Sequence, residues 1–179
     1  MSETAPPPSE SIVQFPQIAA EIDAMAKVDQ DMRTQDLLDD STWDKSVDAN
    51  NTARMKEIVA QIGWPSVSRV GEESSNNAWL LVQHADHDIA FQQRCLDLML
   101  QEQGEVKKKN IAMLTDRIRV HSSQPQVYGT QFDQIGGKHV PDPIEDEAHV
   151  DERRKRMGLP TLAEGIAEMY EQYGAPDQG

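Results

Sequence analysis

The run "HADHD" at positions 84–88 packs two imidazoles and two carboxylates into five residues. An imidazole exchanges a proton near neutral pH, and a carboxylate beside it fixes the tautomer, so the combination suits acid/base catalysis. On a helical wheel at about 100° per residue, His84 and Asp88 fall within an apolar face that includes Leu81, Phe91, Cys95 and Met99. Asp86 turns to the polar side and His87 to the border. The same construction places Asn110 and Arg117 among Val106, Met113, Leu114 and Ile118, and turns Asp116 outward. It places Asp29 among Ile18, Ile22, Met25 and Met32, with Arg33 at the margin. An isolated buried charge costs several kcal/mol, so these inward groups are predicted to meet one another, a ligand or water.

The expected site therefore joins Asp29, His84, Asp88, Asn110 and Arg117. His84 is the expected proton carrier, held in one tautomer by Asp88 and Arg117. The segment "QPQVYGTQF" at 124–132 adds Tyr128 or Gln131 as a hydrogen-bond donor to a carbonyl or oxyanion. Substrate contacts are expected from Asp29, His87, Asn110, Gln126, Thr130 and Gln131. A closed Asp88–Arg117 ion pair oriented by His84 would satisfy the same groups without any reaction. His121, His139 and His149 stand alone and read as surface histidines. Trp43, Trp64 and Trp79 read as core, and Cys95 as a small buried hydrophobe.

The elements that must position these groups are helices, and the predicted fold is an all-α, single-domain helical bundle. Pro16 opens a helix that carries Ile18, Ile22, Met25 and Met32 as far as about Arg33. A second helix follows in "NNTARMKEIVAQIG", closed by Gly63, after an acidic, irregular stretch over 36–49. "SVSRVG" reads as a turn or short extended piece. A central helix is predicted over about residues 73–103, broken by Gly104 from another over about 106–120. Residues 121–142 hold Pro125, Gly129, Gly136, Gly137 and Pro141 and read as a long loop, a common place for function. Short helices at about 147–157 and 161–173 complete the bundle. Residues 1–14, with three consecutive prolines, read as a disordered tail, 15–174 as the domain, and 175–179 as a C-terminal tail.

Composition narrows the function classes. The chain has 179 residues, enough for one core. Its net charge of −14 sits at the ends: residues 1–50 carry 11 acids against 3 bases, while residues 51–140 carry 10 of each and four of the five histidines. Acidic flanks repel nucleic acid and anionic membrane, so neither is an expected partner. No apolar run approaches a membrane span and the N-terminus lacks the pattern of a signal peptide, which leads to an expected cytoplasmic location. A single cysteine fits a reducing compartment.

The strings "GWPSVSRVG", "AWLLVQHADHDIAFQ", "MLTDRI" and "QVYGTQF", in that order, resemble a widespread bacterial domain-of-unknown-function family. The likeness covers roughly residues 18–170. It implies a single, mostly helical domain and points to His84, Asp86, Asp88, Asp116, Arg117, Gln126, Tyr128 and Gln131, without supplying a mechanism. Asp86 and Asp116 belong to that pattern although the wheels turn them outward.

Three functions fit. The leading one is a small enzyme that hydrolyses, eliminates or isomerises a small metabolite or peptide through the His/Asp/Arg cluster, with no cofactor and no metal. No dinucleotide fingerprint, phosphate loop or nucleophile elbow is present to argue otherwise. In a second, His84 and Asp88 at i, i+4 hold a metal with Asp29, although Arg117 facing the same space opposes a cation. The third is an acidic adaptor, immunity or regulatory module whose internal polar groups are structural.

Overall fold

The computed structural model describes residues 13–36, 44–136 and 138–174. Residues 1–12 of the tail expected over 1–14, the C-terminal tail, Trp43 and Gly137 lie outside the described residues. Among those described, eight α-helices account for most of the chain, with one two-stranded ribbon. Helix α1 spans Pro16–Asp36, where proline at the first position loses no hydrogen bond. Helix α2 spans Lys45–Ile62 and starts earlier than its apolar pattern suggested. The cause is a local cap: the Asp44 carboxylate accepts from the Ser46 N–H and lets the helix begin in acidic sequence. "SVSRVG" forms a single helical turn, α3, at Val67–Val70. Val13 packs against the core and Phe15 N–H donates to Arg69 C=O at 2.8 Å, so the packed chain reaches back past residue 15.

The expected central helix is two helices. Helix α4 spans Glu72–Gln83 and α5 spans Ile89–Gln101, separated by a turn made of the "HADHD" residues themselves. Helix α4 packs on α1, α2, α3, α5 and α6 and is the hub of the fold. Helix α6 spans Lys108–His121 beside α5. Ile22, Met55, Ile58, Leu81, Met99 and Leu114 are fully buried where these helices meet. Each such side chain contributes about 1.5–3 kcal/mol by leaving water.

The segment after α6 is more ordered than a loop. Strands β1 (Phe132–Ile135) and β2 (Lys138–Pro141) pair antiparallel, with Phe132 opposite Pro141. Helix α7 (Val150–Arg156) and α8 (Leu162–Tyr173) follow, the latter opened by a reciprocal cap between Thr161 and Glu164. Among the described residues no helix is long and apolar enough to cross a membrane.

Candidate functional site

The α4–α5 turn is built from opposite helix-end requirements. Asp88 caps α5, its carboxylate accepting from the Phe91 N–H at 2.9 Å. The last carbonyls of α4 are met from the other side: the buried Gln92 Nε2 donates to Val82 C=O, Gln83 C=O and Asp86 Oδ1 at 3.2, 3.1 and 3.3 Å. His84 is the residue that ends α4, so its ring stands at a helix terminus rather than in the middle of a buried stripe.

His84 faces the C-terminal half of α1. Its Nδ1 lies 2.9 and 3.0 Å from the two carboxylate oxygens of Asp29, which is fully buried as its wheel position predicted. Gln30 and Arg33 also donate to that carboxylate. Burial by itself would raise the Asp29 carboxyl, but the hydrogen bonds from His84, Arg33 and Gln30 outweigh it and hold the group below the ordinary aspartate range. A carboxylate accepting at Nδ1 selects the Nδ1–H tautomer of neutral His84 and leaves the lone pair on Nε2. The ring lines a cleft of about 400 Å³ whose other walls are Arg33, Lys45, Asp48, Ala49, Asp86 and His87. Arg33 is shared between Asp29 and Asp48, with 2.7 Å to the latter.

The pairing expected between Asp88 and Arg117 is replaced by two others. Arg117 binds Asp86 in a two-pronged ion pair, and His121 Nδ1 approaches the same carboxylate at 3.3 Å. Burial would raise the Asp86 carboxyl; Arg117 and His121 more than offset this and lower it. Asp88 instead pairs with Lys56 from α2, which together with the Phe91 N–H lowers its carboxyl. The physical reason is the turn: it resets the helical phase after residue 84, so Asp86 swings toward α6 and Asp88 toward α2. His121, expected to stand alone, belongs to the Asp86 cluster. The donors imagined for a cation on His84 and Asp88 are thus engaged elsewhere, Asp88 by a lysine ammonium.

The "QVYGTQ" segment is held from both sides by buried charge. Asp116 is fully buried, not outward, and accepts from the backbone N–H groups of Val127, Tyr128 and Thr130 and from the Thr130 hydroxyl at 2.7–3.2 Å. The buried Arg154 of α7 donates to the carbonyls of Tyr128 and Gly129 at 2.7 and 3.0 Å and to Pro160 C=O at 2.6 Å. Gln126, also fully buried, donates through Nε2 to Gln131 C=O and Asp142 C=O and accepts the Gln131 N–H. None of the three substrate contacts expected from this segment lines the His84 cleft: Gln126 spends its amide on the loop backbone, Thr130 gives its hydroxyl to Asp116, and Gln131 Nε2 donates to the Thr130 hydroxyl, so these groups hold the loop together. The Tyr128 ring lines a different cavity, between α5, α6 and α7.

Asn110 is buried as expected but donates to Asn76 of α4, tying two helices together away from the cleft. Cys95 is buried, and burial pushes its thiol up to about 12, as expected of an inert side chain. Trp64 and Trp79 are core residues. His149 pairs with Asp146, and His139 stacks edge-on against Tyr170 with ring centres 5.5 Å apart. Sequence reasoning overlooked Lys45 and Asp48, which lay in the stretch read as irregular, and Arg154, which lay in the short helix expected over about 147–157.

The scaffold is predominantly helical, with a His–Asp pair beside a polar cleft and a clamped "YGTQ" loop. The chain belongs to the Family of unknown function (DUF6624), whose model matches residues 16–176. No curated protein and no solved structure matches it.

Proposed function

We propose that this protein is a small enzyme in which His84 shuttles a proton to or from a small acidic metabolite or peptide bound in the cleft between α1, α2 and the α4–α5 turn. The observation that carries this reading is the Asp29–His84 contact: a fully buried carboxylate holds Nδ1, and the ring lines the cleft with Nε2 as its remaining nitrogen. Arg33, Lys45 and His87 line the same space and suit a carboxylate-bearing substrate, with Arg33 fixed in direction by Asp29 and Asp48. Asp86, itself held by Arg117, is the second carboxylate of the cleft and the group best placed to complement a substrate N–H or O–H. Hydrolysis, elimination and isomerisation all need such a proton carrier. A cytoplasmic site of action and independence from metal and cofactor complete the reading.

The test combines accessibility with turnover. Diethyl pyrocarbonate should modify His84 at Nε2 in the folded protein. A panel of carboxylate-bearing esters, amides, lactones and hydroxy acids should yield a turnover that His84→Gln lowers by about 10²–10⁴-fold, with the thermal melt retained. A folded protein whose His84 resists the reagent, or a turnover that survives His84→Gln, overturns the assignment.

A further inference from the structure

The cavity that receives Tyr128 lies outside the His84 cleft and has the make-up of a ligand site in its own right. It measures about 450 Å³, within the range of small-molecule pockets. Its floor is apolar: Leu96 of α5 and Ile111 of α6 are both buried, and Met157 closes one side. At its mouth Leu100 is 43 % exposed, an apolar side chain left in water. Around that floor stand Tyr128, Lys108 and Arg156.

The polar members are left available. The Tyr128 hydroxyl and the Lys108 ammonium have no hydrogen-bond or ion-pair partner among the described residues, and Arg156 touches only Glu152, at 4.0 Å. The backbone at Tyr128 is held from both sides. Its N–H is taken by buried Asp116 and its C=O by buried Arg154, so the backbone that carries the phenol is gripped by two opposite charges. Burial, reinforced by the Asp116 charge, raises the phenol, which keeps it a neutral donor at physiological pH. An apolar floor lined also by a tyrosine and two cationic side chains matches a molecule with a short hydrocarbon body and a negatively charged head. A purely polar anion would leave the floor unsatisfied, and a purely apolar ligand would leave the cations unused.

We propose that this cavity binds a small amphipathic carboxylate, its hydrocarbon part on Leu96, Ile111 and Leu100 and its carboxylate received by Tyr128, Lys108 and Arg156. Octanoate is a suitable probe, with octan-1-ol and acetate as the two halves of the same chemistry. Titrated into protein carrying ¹³C-labelled methyl groups, octanoate should give saturable shifts at Leu96, Leu100 and Ile111, about tenfold tighter than octan-1-ol, while acetate leaves those methyls unmoved. Tyr128→Phe and the double change Lys108→Gln, Arg156→Gln should each weaken octanoate at least about fivefold. Leu100→Trp, at an exposed position that the fold does not depend on, should block the cavity and abolish binding. His84→Gln should leave it unchanged, which separates this site from the cleft. Octanoate that fails to saturate, binding equal to that of octan-1-ol, or affinity indifferent to all of these cavity variants overturns the proposal.

Discussion

Asp29 and His84 are 55 residues apart in the chain and 2.9 Å apart in the fold. The contact fastens the C-terminal half of α1 to the end of α4 through Nδ1, which leaves Nε2 as the nitrogen that the proposed proton transfer would use. Asp29 is fully buried and is not among the residues that line the cleft, so under the proposed function it is a positioning residue that acts through the imidazole.

Replacing Asp29 with Asn should therefore show in the ring before it shows in turnover. The amide can donate to Nδ1 and admit the opposite tautomer, and Arg33 loses one of its carboxylate partners. A cost of about 3 kcal/mol is expected from removing one partner of a buried ionic cluster. Long-range ¹H–¹⁵N spectra of neutral His84 should report the proton on Nδ1 in the parent protein and a mixture in Asp29→Asn. Identical spectra would mean that the carboxylate does not set the tautomer.

Acid should destabilise the fold from a defined direction. Asp29 and Asp86 both have carboxyls lowered in the folded state, so the unfolded chain takes up protons first as pH falls. Their contribution is whole above the ordinary aspartate value of about 4 and is lost as pH drops through the lower folded values. Asp29 should dominate, since Asp86 is 40 % exposed and its pair is screened by solvent. Urea midpoints measured from about pH 6 down to about pH 2.5 should fall steeply in the parent and less steeply in Asp29→Asn. Parallel curves would refute the assignment.

Asp116 should prove structural. Changing it to Ala leaves three backbone N–H groups and a hydroxyl in the interior without an acceptor, beside the Arg154 charge. A loss of at least about 3 kcal/mol is expected. Hydrogen exchange at Val127, Tyr128 and Thr130 should accelerate far more than in the α4 core, and Asp116→Asn should restore part of the protection. Uniform acceleration across the protein would show that the carboxylate is not a local clamp.

Two glycines separate backbone strain from crowding. Gly129 and Gly136 both have positive φ, +67° and +58°, but a Cβ at 129 would stand 2.9 Å from both Ile144 and Leu162, whereas one at 136 meets nothing within 4 Å. Gly136→Ala should cost about 1–2 kcal/mol, and Gly129→Ala that plus about 1–3 kcal/mol of overpacking. Equal denaturation midpoints for the two variants would contradict this.

Much of the helical fold was legible in the amino-acid sequence because its apolar spacing is regular, and within α1 the same spacing placed Asp29 correctly. His84 was found as well, though for an incomplete reason: the wheel saw a residue inside a long helix, where the structure has one ending a shorter helix. The apolar pattern of 80–82 resumes at 89–91 across the turn, so periodicity alone runs straight through it. The overlooked signal was Asp88 directly before "IAFQ", a helix-start residue that announces a cap. The positions assigned to Asp86 and Asp88, and with them the Asp88–Arg117 pair, inherited the wrong phase, while Phe91, Cys95 and Met99 are buried as their spacing predicted. Asp116 failed differently. Helix α6 is covered on one side by α5 and on another by the "QVYGTQ" segment, so it has no plain solvent face for a wheel to find. The family likeness named Asp86 and Asp116, and both proved to be engaged.

The grip on the "YGTQ" segment falls almost wholly on main-chain atoms: Asp116 and Arg154 hold amides and carbonyls, and the Tyr128 side chain takes no part. Shape and display are thereby uncoupled. The bracket would keep its form with a different group mounted at 128, so the adjoining chamber could be retuned toward other guests by exchanging one residue, with the two ions beneath it left as they are.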